Sequence, residues 1–183
     1  MQPATALLPS DDETRDNAAF EAIMWALSRP GAPRDLPQSG LAAVALSLID
    51  GECRVFLGAK DEVPASIVAG TGATLGPPET ADHAIMRLDE AGLADLPRLP
   101  AGSQLYPERG ATIIAPATIG AGQRLRLSGP GIEGTRDLAL GGIAPALWDL
   151  RARICAYPLG VELLLVDEAR LVALPRSTRI EVL

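Results

Sequence analysis

Few side chains in this sequence are equipped for covalent or metal chemistry. Among 183 residues there is one histidine, His83, and one lysine, Lys60. Schiff-base chemistry with a carbonyl cofactor would rest on Lys60 alone, and imidazole ligation of a metal on His83 alone. No second histidine stands three or four residues from His83, and Asp82 and Asp89 complete no ligand spacing with it, so an ordinary structural or surface histidine is expected. Cys53 and Cys155 lie far apart, match no metal or redox spacing, and read as reduced, buried thiols. No serine sits in a GxSxG elbow and no glycine-lysine-serine/threonine run forms a phosphate loop, which excludes an α/β-hydrolase nucleophile and an independent NTPase.

The most suggestive motif is Gly129-Pro130-Gly131-Ile132-Glu133-Gly134, a GxGxxG spelling directly after an expected strand. In a dinucleotide fold this loop opens a helix whose N-terminus receives the pyrophosphate. Thr135–Gly142 is too short and too rich in glycine for that helix. A turn in which glycines supply positive φ and Pro130 fixes its own φ is the better reading, with a backbone anion nest as the functional alternative.

The chemistry that remains lies in rigid turns with polar tips: Tyr106-Pro107-Glu108-Arg109, Gly129-Pro130-Gly131, Tyr157-Pro158-Leu159-Gly160 and Leu174-Pro175-Arg176-Ser177-Thr178. Such turns present groups to a ligand or partner. Arg176 is a candidate for bidentate capture of a phosphate or carboxylate, or equally a solvated or surface-paired arginine, and Glu108 is a helix cap or a contact.

Interleaved strands and helices must position these turns. Asp16 or Asn17 can cap a first helix, in which Phe20, Ile23, Met24 and Leu27 share a face and which Pro30 and Gly31 stop. Leu41–Asp50 suits helix or strand by spacing, its alanines favouring helix, and Cys53, Val55 and Leu57 alternate as a strand does. Val63–Ala69 reads as helix and Ala84–Leu88 as a buried strand. Ala111–Ala115 and Gln123–Ser128 read as strands joined through a hairpin turn at Gly120-Ala121-Gly122. Arg136–Leu140 adds a short strand, and a helix with Pro145 in its first turn follows, its stripe made by Ile143, Leu147, Leu150 and Ile154. Val161–Val166 is a strand covered on both faces, Leu171–Leu174 returns beside it, and Arg179–Leu183 suits an edge.

Length and composition agree with one α/β domain, since 48% hydrophobic residues supply a core and glycine and proline together fall below a fifth of the chain. Residues 1–15 read as a flexible acidic arm and 16–183 as a single domain with a mixed sheet covered by helices. A net charge of −7 argues against non-specific nucleic-acid binding, which depends on lysine and arginine neutralising phosphates. Without a signal-peptide pattern or a run of about 18 apolar residues, a cytoplasmic protein without membrane contact is expected.

Taken in order, the turns and their flanks resemble the PhnH family, a subunit of the bacterial carbon–phosphorus lyase machinery for phosphonate use. The matching blocks are Phe20–Met24 with Ser28-Arg29-Pro30-Gly31, Leu48-Ile49-Asp50, Tyr106-Pro107-Glu108 with Gly110-Ala111-Thr112, Leu125–Ile132, Tyr157-Pro158-Leu159-Gly160-Val161-Glu162, and Ala173-Leu174-Pro175-Arg176-Ser177-Thr178. Glu21, Glu162 and Ser177 depart from the residues usual there. The resemblance implies a layered α/β/α domain with a mixed sheet, similar to a reduced pyridoxal-phosphate-dependent transferase without the cofactor. It implies a homodimer in isolation, assembly with PhnG, PhnI and PhnJ type subunits, and support for forming ribose 1-alkylphosphonate 5-triphosphate from ATP and an alkylphosphonate, with catalysis in another subunit. The iron–sulfur step that follows needs more cysteines than this chain has. Tyr106, Pro107, Glu108, Gly129, Pro130, Gly131 and Arg176 are the candidate ligand- or partner-binding residues, with no catalytic residue, metal or cofactor expected. Two other readings stand beside it: a free-standing transferase-like enzyme or binding protein holding a phosphorylated small molecule through Arg176 and the Gly129–Gly131 turn, and a chain retaining pyridoxal phosphate on Lys60.

Overall fold

A computed structural model describes residues 10–59 and 63–183. The first helix, α1 (Asp11–Ser28), starts earlier than the Asp16 or Asn17 cap expected from sequence. Ser10 caps it: the Glu13 N–H donates to Ser10 Oγ at 3.2 Å while the Glu13 carboxylate accepts the Ser10 N–H at 2.7 Å. This reciprocal pair satisfies two otherwise orphaned donors, and Asp11, Asp12 and Glu13 complement the helix dipole. Residues 11–15, read as part of an arm, are therefore helical. The buried face is also rotated from the expected stripe: Ala19, Ala22, Ile23 and Ala26 pack inward, whereas Phe20 and Met24 are exposed. Small alanine side chains let the helix axis approach the sheet closely, and that approach decides the face.

The large sheet has seven strands in the order β1 (Arg34–Asp35), β9 (Arg170–Leu174), β8 (Glu162–Asp167), β5 (Thr112–Pro116), β4 (His83–Ile85), β2 (Arg54–Leu57) and β3 (Thr74–Leu75). The strands from β8 to β3 are mutually parallel, while β9 runs antiparallel to β8 and β1 antiparallel to β9. Central position explains the apolar composition of β5 and β8, in which Ile113, Ile114, Leu163, Leu164 and Leu165 are fully buried.

Alternation along these strands feeds two cores. Ile114, Leu164 and Val166 meet Ile23 of α1, Val44 of α2 (Leu41–Leu48) and Val68 of α3 (Ala65–Gly70). Ile113, Leu163 and Leu165 belong with Leu147 and Trp148 of α4 (Ala146–Ile154) and with Leu125, Leu127, Leu138 and Leu140 of a second sheet. That sheet is antiparallel, ordered β10 (Arg179–Val182), β6 (Thr118–Ser128), β7 (Arg136–Gly141). The α/β/α layering expected from the resemblance is thus corrected on one side, where among the described residues a three-stranded sheet accompanies α4 and two short 3-10 turns that bring Leu93 and Leu96 into the core.

The expected hairpin is likewise corrected. Gly120-Ala121-Gly122 lies inside β6 as a bulge, with Ile119 and Gln123 both opposite Leu140, so β5 and β6 run into different sheets. Gly120 and Gly122 have φ of 95° and 94°, and a Cβ on Gly122 would stand 2.5 Å from the Leu140 carbonyl oxygen. Among the described residues no helix is long and apolar enough to cross a membrane.

Candidate functional site

Because β9 is antiparallel to β8, the turn leaving β9 returns to the end of the sheet where β8, β5, β4 and β2 begin. Arg176 in that turn fastens three chain segments. Its backbone N–H and Nε donate to the Glu162 carboxylate at 2.7 and 2.5 Å, and its Nη1 donates to the carbonyl oxygens of Pro107 and, at 3.3 Å, Pro158. The side chains of Arg176 and Glu162 are only 13% and 20% exposed. Gly110 and Gly160 permit this closeness, since a Cβ on Gly110 would lie 2.2 Å from the Gly160 carbonyl oxygen.

A second arginine grips the same turn from beneath. Arg151 of α4 donates through Nη1 to the Thr178 carbonyl at 3.1 Å and through Nη2 to the Pro175 carbonyl at 2.6 Å. It is 4% exposed, and burial pushes its pKa down, opposed by the charge of Glu162. An arginine within the stripe of an amphipathic helix gives little sequence signal of this role. Its acceptors belong to a turn more than twenty residues onward.

The Gly129-Pro130-Gly131 turn approaches from the small sheet, where Ser128 of β6 pairs with Arg179 of β10. A Cβ on Gly131 would stand 2.3 Å from the Ser28 carbonyl oxygen and one on Gly129 3.0 Å from that of Ser177. The turn therefore locks the end of α1 against the Arg176 turn. Strand β7 follows it, so the GxGxxG spelling opens no helix.

Between these turns lies an open cleft made of three adjoining concavities that share Tyr157 and Ser177. One, about 650 Å³, is lined by Gly129, Pro130 and Arg179. The middle one, about 370 Å³, is lined by Arg151, Arg176, Thr178 and Arg179. The third, about 310 Å³, is lined by Pro107, Glu108, Glu162 and Arg176. Of the sequence candidates, Pro107, Glu108, Gly129, Pro130 and Arg176 thus meet at the cleft. Tyr106 and Gly131 line none of these concavities: Tyr106 stacks under the Arg109 guanidinium, 4.5 Å from its ring centroid, and Gly131 packs on α1. Arg151, Thr178 and Tyr157 were not among the candidates. A further pocket by Gly58, Met86 and Gly92, at the opposite ends of β2 and β4, measures about 60 Å³ and has room for little more than water.

No group of three or more histidine, cysteine or acidic residues able to hold a metal occurs among the described residues. Cys155 lines the cleft as a free thiol, while Cys53 donates to Asp50 Oδ1 at 3.4 Å, its pKa raised by burial. Lys60 and its pyridoxal-phosphate reading lie outside the described residues.

Residues 10–181 match the family model for PhnH, the bacterial phosphonate metabolism protein. The chain belongs to the PhnH family. Among curated relatives of this PhnH-family chain, a putative C–P lyase subunit, HtxG of Stutzerimonas stutzeri, is 34% identical over 97% of the chain and 92% of the relative. The PhnH subunit of alpha-D-ribose 1-methylphosphonate 5-triphosphate synthase from Rhizobium meliloti (strain 1021) is 30% identical over 90% of the chain and 89% of the relative. The region that matches the family, residues 10–181, extends across the turns that build the cleft.

Proposed function

We propose that this PhnH-family chain is a non-catalytic subunit of the carbon–phosphorus lyase machinery for phosphonate catabolism. In that role it supports the formation of ribose 1-alkylphosphonate 5-triphosphate from ATP and an alkylphosphonate. The observation that carries this reading is the near full-length likeness to the Rhizobium meliloti synthase subunit. The chemistry of the cleft supports it: Arg176 and Glu162, the one close arginine–carboxylate pair there among the described residues, hold turns together by hydrogen bonds to one another and to carbonyls, the work of a scaffold. The finer reading extends to a fold related to pyridoxal-phosphate-dependent transferases but reduced and without the cofactor, a homodimer in isolation, and a cytoplasmic setting.

PhnG, PhnI and PhnJ type subunits are the partners we assign, and the cleft rim is the surface we assign to them. Tyr157, which lines all three concavities, is 78% exposed, and Leu105 and Tyr106, just before the cleft-lining Pro107, are 83% and 50% exposed. Large apolar and aromatic side chains left outside a core serve as interface anchors, because their burial on docking removes most water-exposed area per residue. Co-expression of tagged chain with the three partner types tests the reading: a stoichiometric complex is expected, and Tyr157→Asp should release it while leaving the fold intact. Elution of the tagged chain alone at physiological salt, with assembly of the others unaffected, overturns it.

The free-standing binding protein is the second reading, favoured by the open cleft beside the Gly129–Gly131 turn. It requires saturable binding of a phosphorylated small molecule that Arg176→Ala abolishes. Retention of pyridoxal phosphate requires a chromophore lost in Lys60→Ala.

A further inference from the structure

The middle of the cleft has a charge imbalance that the scaffold role does not explain. The chain carries a net charge of −7, yet Arg151, Arg176 and Arg179 all line this one concavity and no carboxylate does. Glu108 and Glu162 line the adjoining concavity, and Glu162 is already engaged by the backbone and Nε of Arg176. Arg151 is almost wholly buried and its acceptors are neutral carbonyls. Glu162 offsets the burial of this guanidinium only in part, without a hydrogen bond to it, and a bound anion would add to that compensation.

Of the three buried side-chain polar atoms without a hydrogen-bond partner among the described residues, two belong to residues of this lining: Nε of Arg151 and Oγ1 of Thr178, a residue only 2% exposed. Native interiors leave few such groups, so two in one concavity mark a place where something polar is missing. Arg179 likewise has a free guanidinium among the described residues, and Ser177 and Tyr157 add hydroxyls at the wall. The Arg179 guanidinium, the unpartnered Arg151 Nε–H and several hydroxyls suit a group presenting three oxygens better than a planar two-oxygen carboxylate. The volume, about 370 Å³, falls in the range of small-molecule sites.

We propose that the Arg151–Thr178–Arg179 concavity is an anion-binding site for a tetrahedral phosphoryl or phosphonyl group. The site is independent of the subunit reading, because it is complete within one chain and is tested on that chain alone.

Calorimetric titration of the full chain with inorganic phosphate, methylphosphonate and acetate, in chloride buffer, tests it. Saturable binding of phosphate or methylphosphonate is expected, with acetate much weaker. The tighter of the two phosphorus anions identifies a phosphoryl or a phosphonyl site. Thr178→Val is the decisive variant: it removes a hydroxyl that supports nothing in the fold, so the urea midpoint without anion should hold or rise. Phosphate affinity should fall about tenfold, the loss expected for one hydrogen bond to a charged group. Arg179→Ala, at an exposed position, should weaken phosphate by a similar factor. The proposal is overturned by no saturable signal into the millimolar range, by acetate binding as tightly as phosphate, or by both variants binding phosphate as the wild type does. Co-purification with partner subunits is unaffected by any of these results, so the two readings fail separately.

Discussion

Two arginine–carboxylate pairs stand at the same end of the seven-stranded sheet, separated by β5, and they differ in what surrounds them. Arg176 and Glu162, beside β8 and β9, are closed over by the Pro107 and Pro158 turns. Arg54 and Asp82, where β2 and β4 begin, form an equally well-aligned bidentate pair at 3.2 and 3.0 Å, with side chains 56% and 39% exposed. Water competes with every hydrogen bond of the second pair and with few of the first, so like chemistry has unlike consequences. The closed half of this sheet end is where the turns of the cleft gather. In the open half the turns before β2 and β3 meet at Gly51 and Gly72 without closing over the pair, which aligns two neighbouring strands.

The largest effect should come from breaking the closed pair. Glu162→Ala leaves the Arg176 Nε and backbone N–H without their acceptor, and the guanidinium without its paired charge, in a site that excludes most water. A stability loss of about 3 kcal/mol in urea denaturation is expected, the lower end for buried pairs because both groups retain some exposure. Arg54→Ala, the matching cut in the open pair, should leave the urea midpoint within error at physiological salt. Equal losses from the two cuts would erase the distinction between the halves.

A smaller loss is expected where the closed half is tightest. Gly110 has φ of −70°, which any residue adopts, so Gly110→Ala carries no backbone strain. Its Cβ would nonetheless meet the Gly160 carbonyl oxygen at 2.2 Å and Arg176 Nη1 at 2.9 Å, forcing the two turns apart. Overpacking of this kind costs about 2 kcal/mol. Partner binding should suffer beyond that figure, because the displaced segments carry Tyr106 and Tyr157 at the rim. A Gly110→Ala protein that keeps wild-type stability would show that the turns yield freely and that the closed half is not rigid.

The same contrast governs what could be read before the structure. Strands β8 and β9 follow from apolar runs, α4 from its periodic stripe and α2 from its alanines where spacing left helix and strand open, because burial on these elements makes their apolar residues predictable. The start of α1 was missed because Ser10 and Glu13 act as a pair, and the hairpin because glycines at 120 and 122 serve a bulge as readily as a reversal. The polar turns were identifiable as places that present groups, and five of the seven candidates do line the cleft. Their convergence on Arg176 was not legible, since Pro107, Pro158 and Glu162 contribute through sequence separations of up to 69 residues. Arg151 was hidden by its setting: an arginine in a helix normally reads as solvent-facing, and only the turn of residues 174–178, folded beneath α4, supplies the carbonyls that hold it inside.

The smallest effect lies in the open half and appears only with pH. His83 begins β4, its Nδ1 is buried without a partner, and burial holds its pKa below the ordinary value of about 6.5, against the opposing pull of Asp82 and Asp50. Protonation would place a second N–H donor at a buried atom that has no acceptor. As pH falls, the unfolded chain therefore takes up this proton before the folded one does. The stability associated with neutral His83 is fully present above about pH 6.5 and is lost from there down toward the folded pKa. Asp82 adds a separate loss at lower pH, because its hydrogen bonds to Arg54 hold its carboxyl below the usual carboxylate value near 3.9. Urea midpoints of wild type and His83→Gln should run parallel above neutrality. Between about pH 7 and pH 5 the wild type should lose more, and the two should fall together again in the carboxylate range. Parallel curves throughout would place His83 in contact with water, and the burial contrast between the two halves would then stop at the ion pairs.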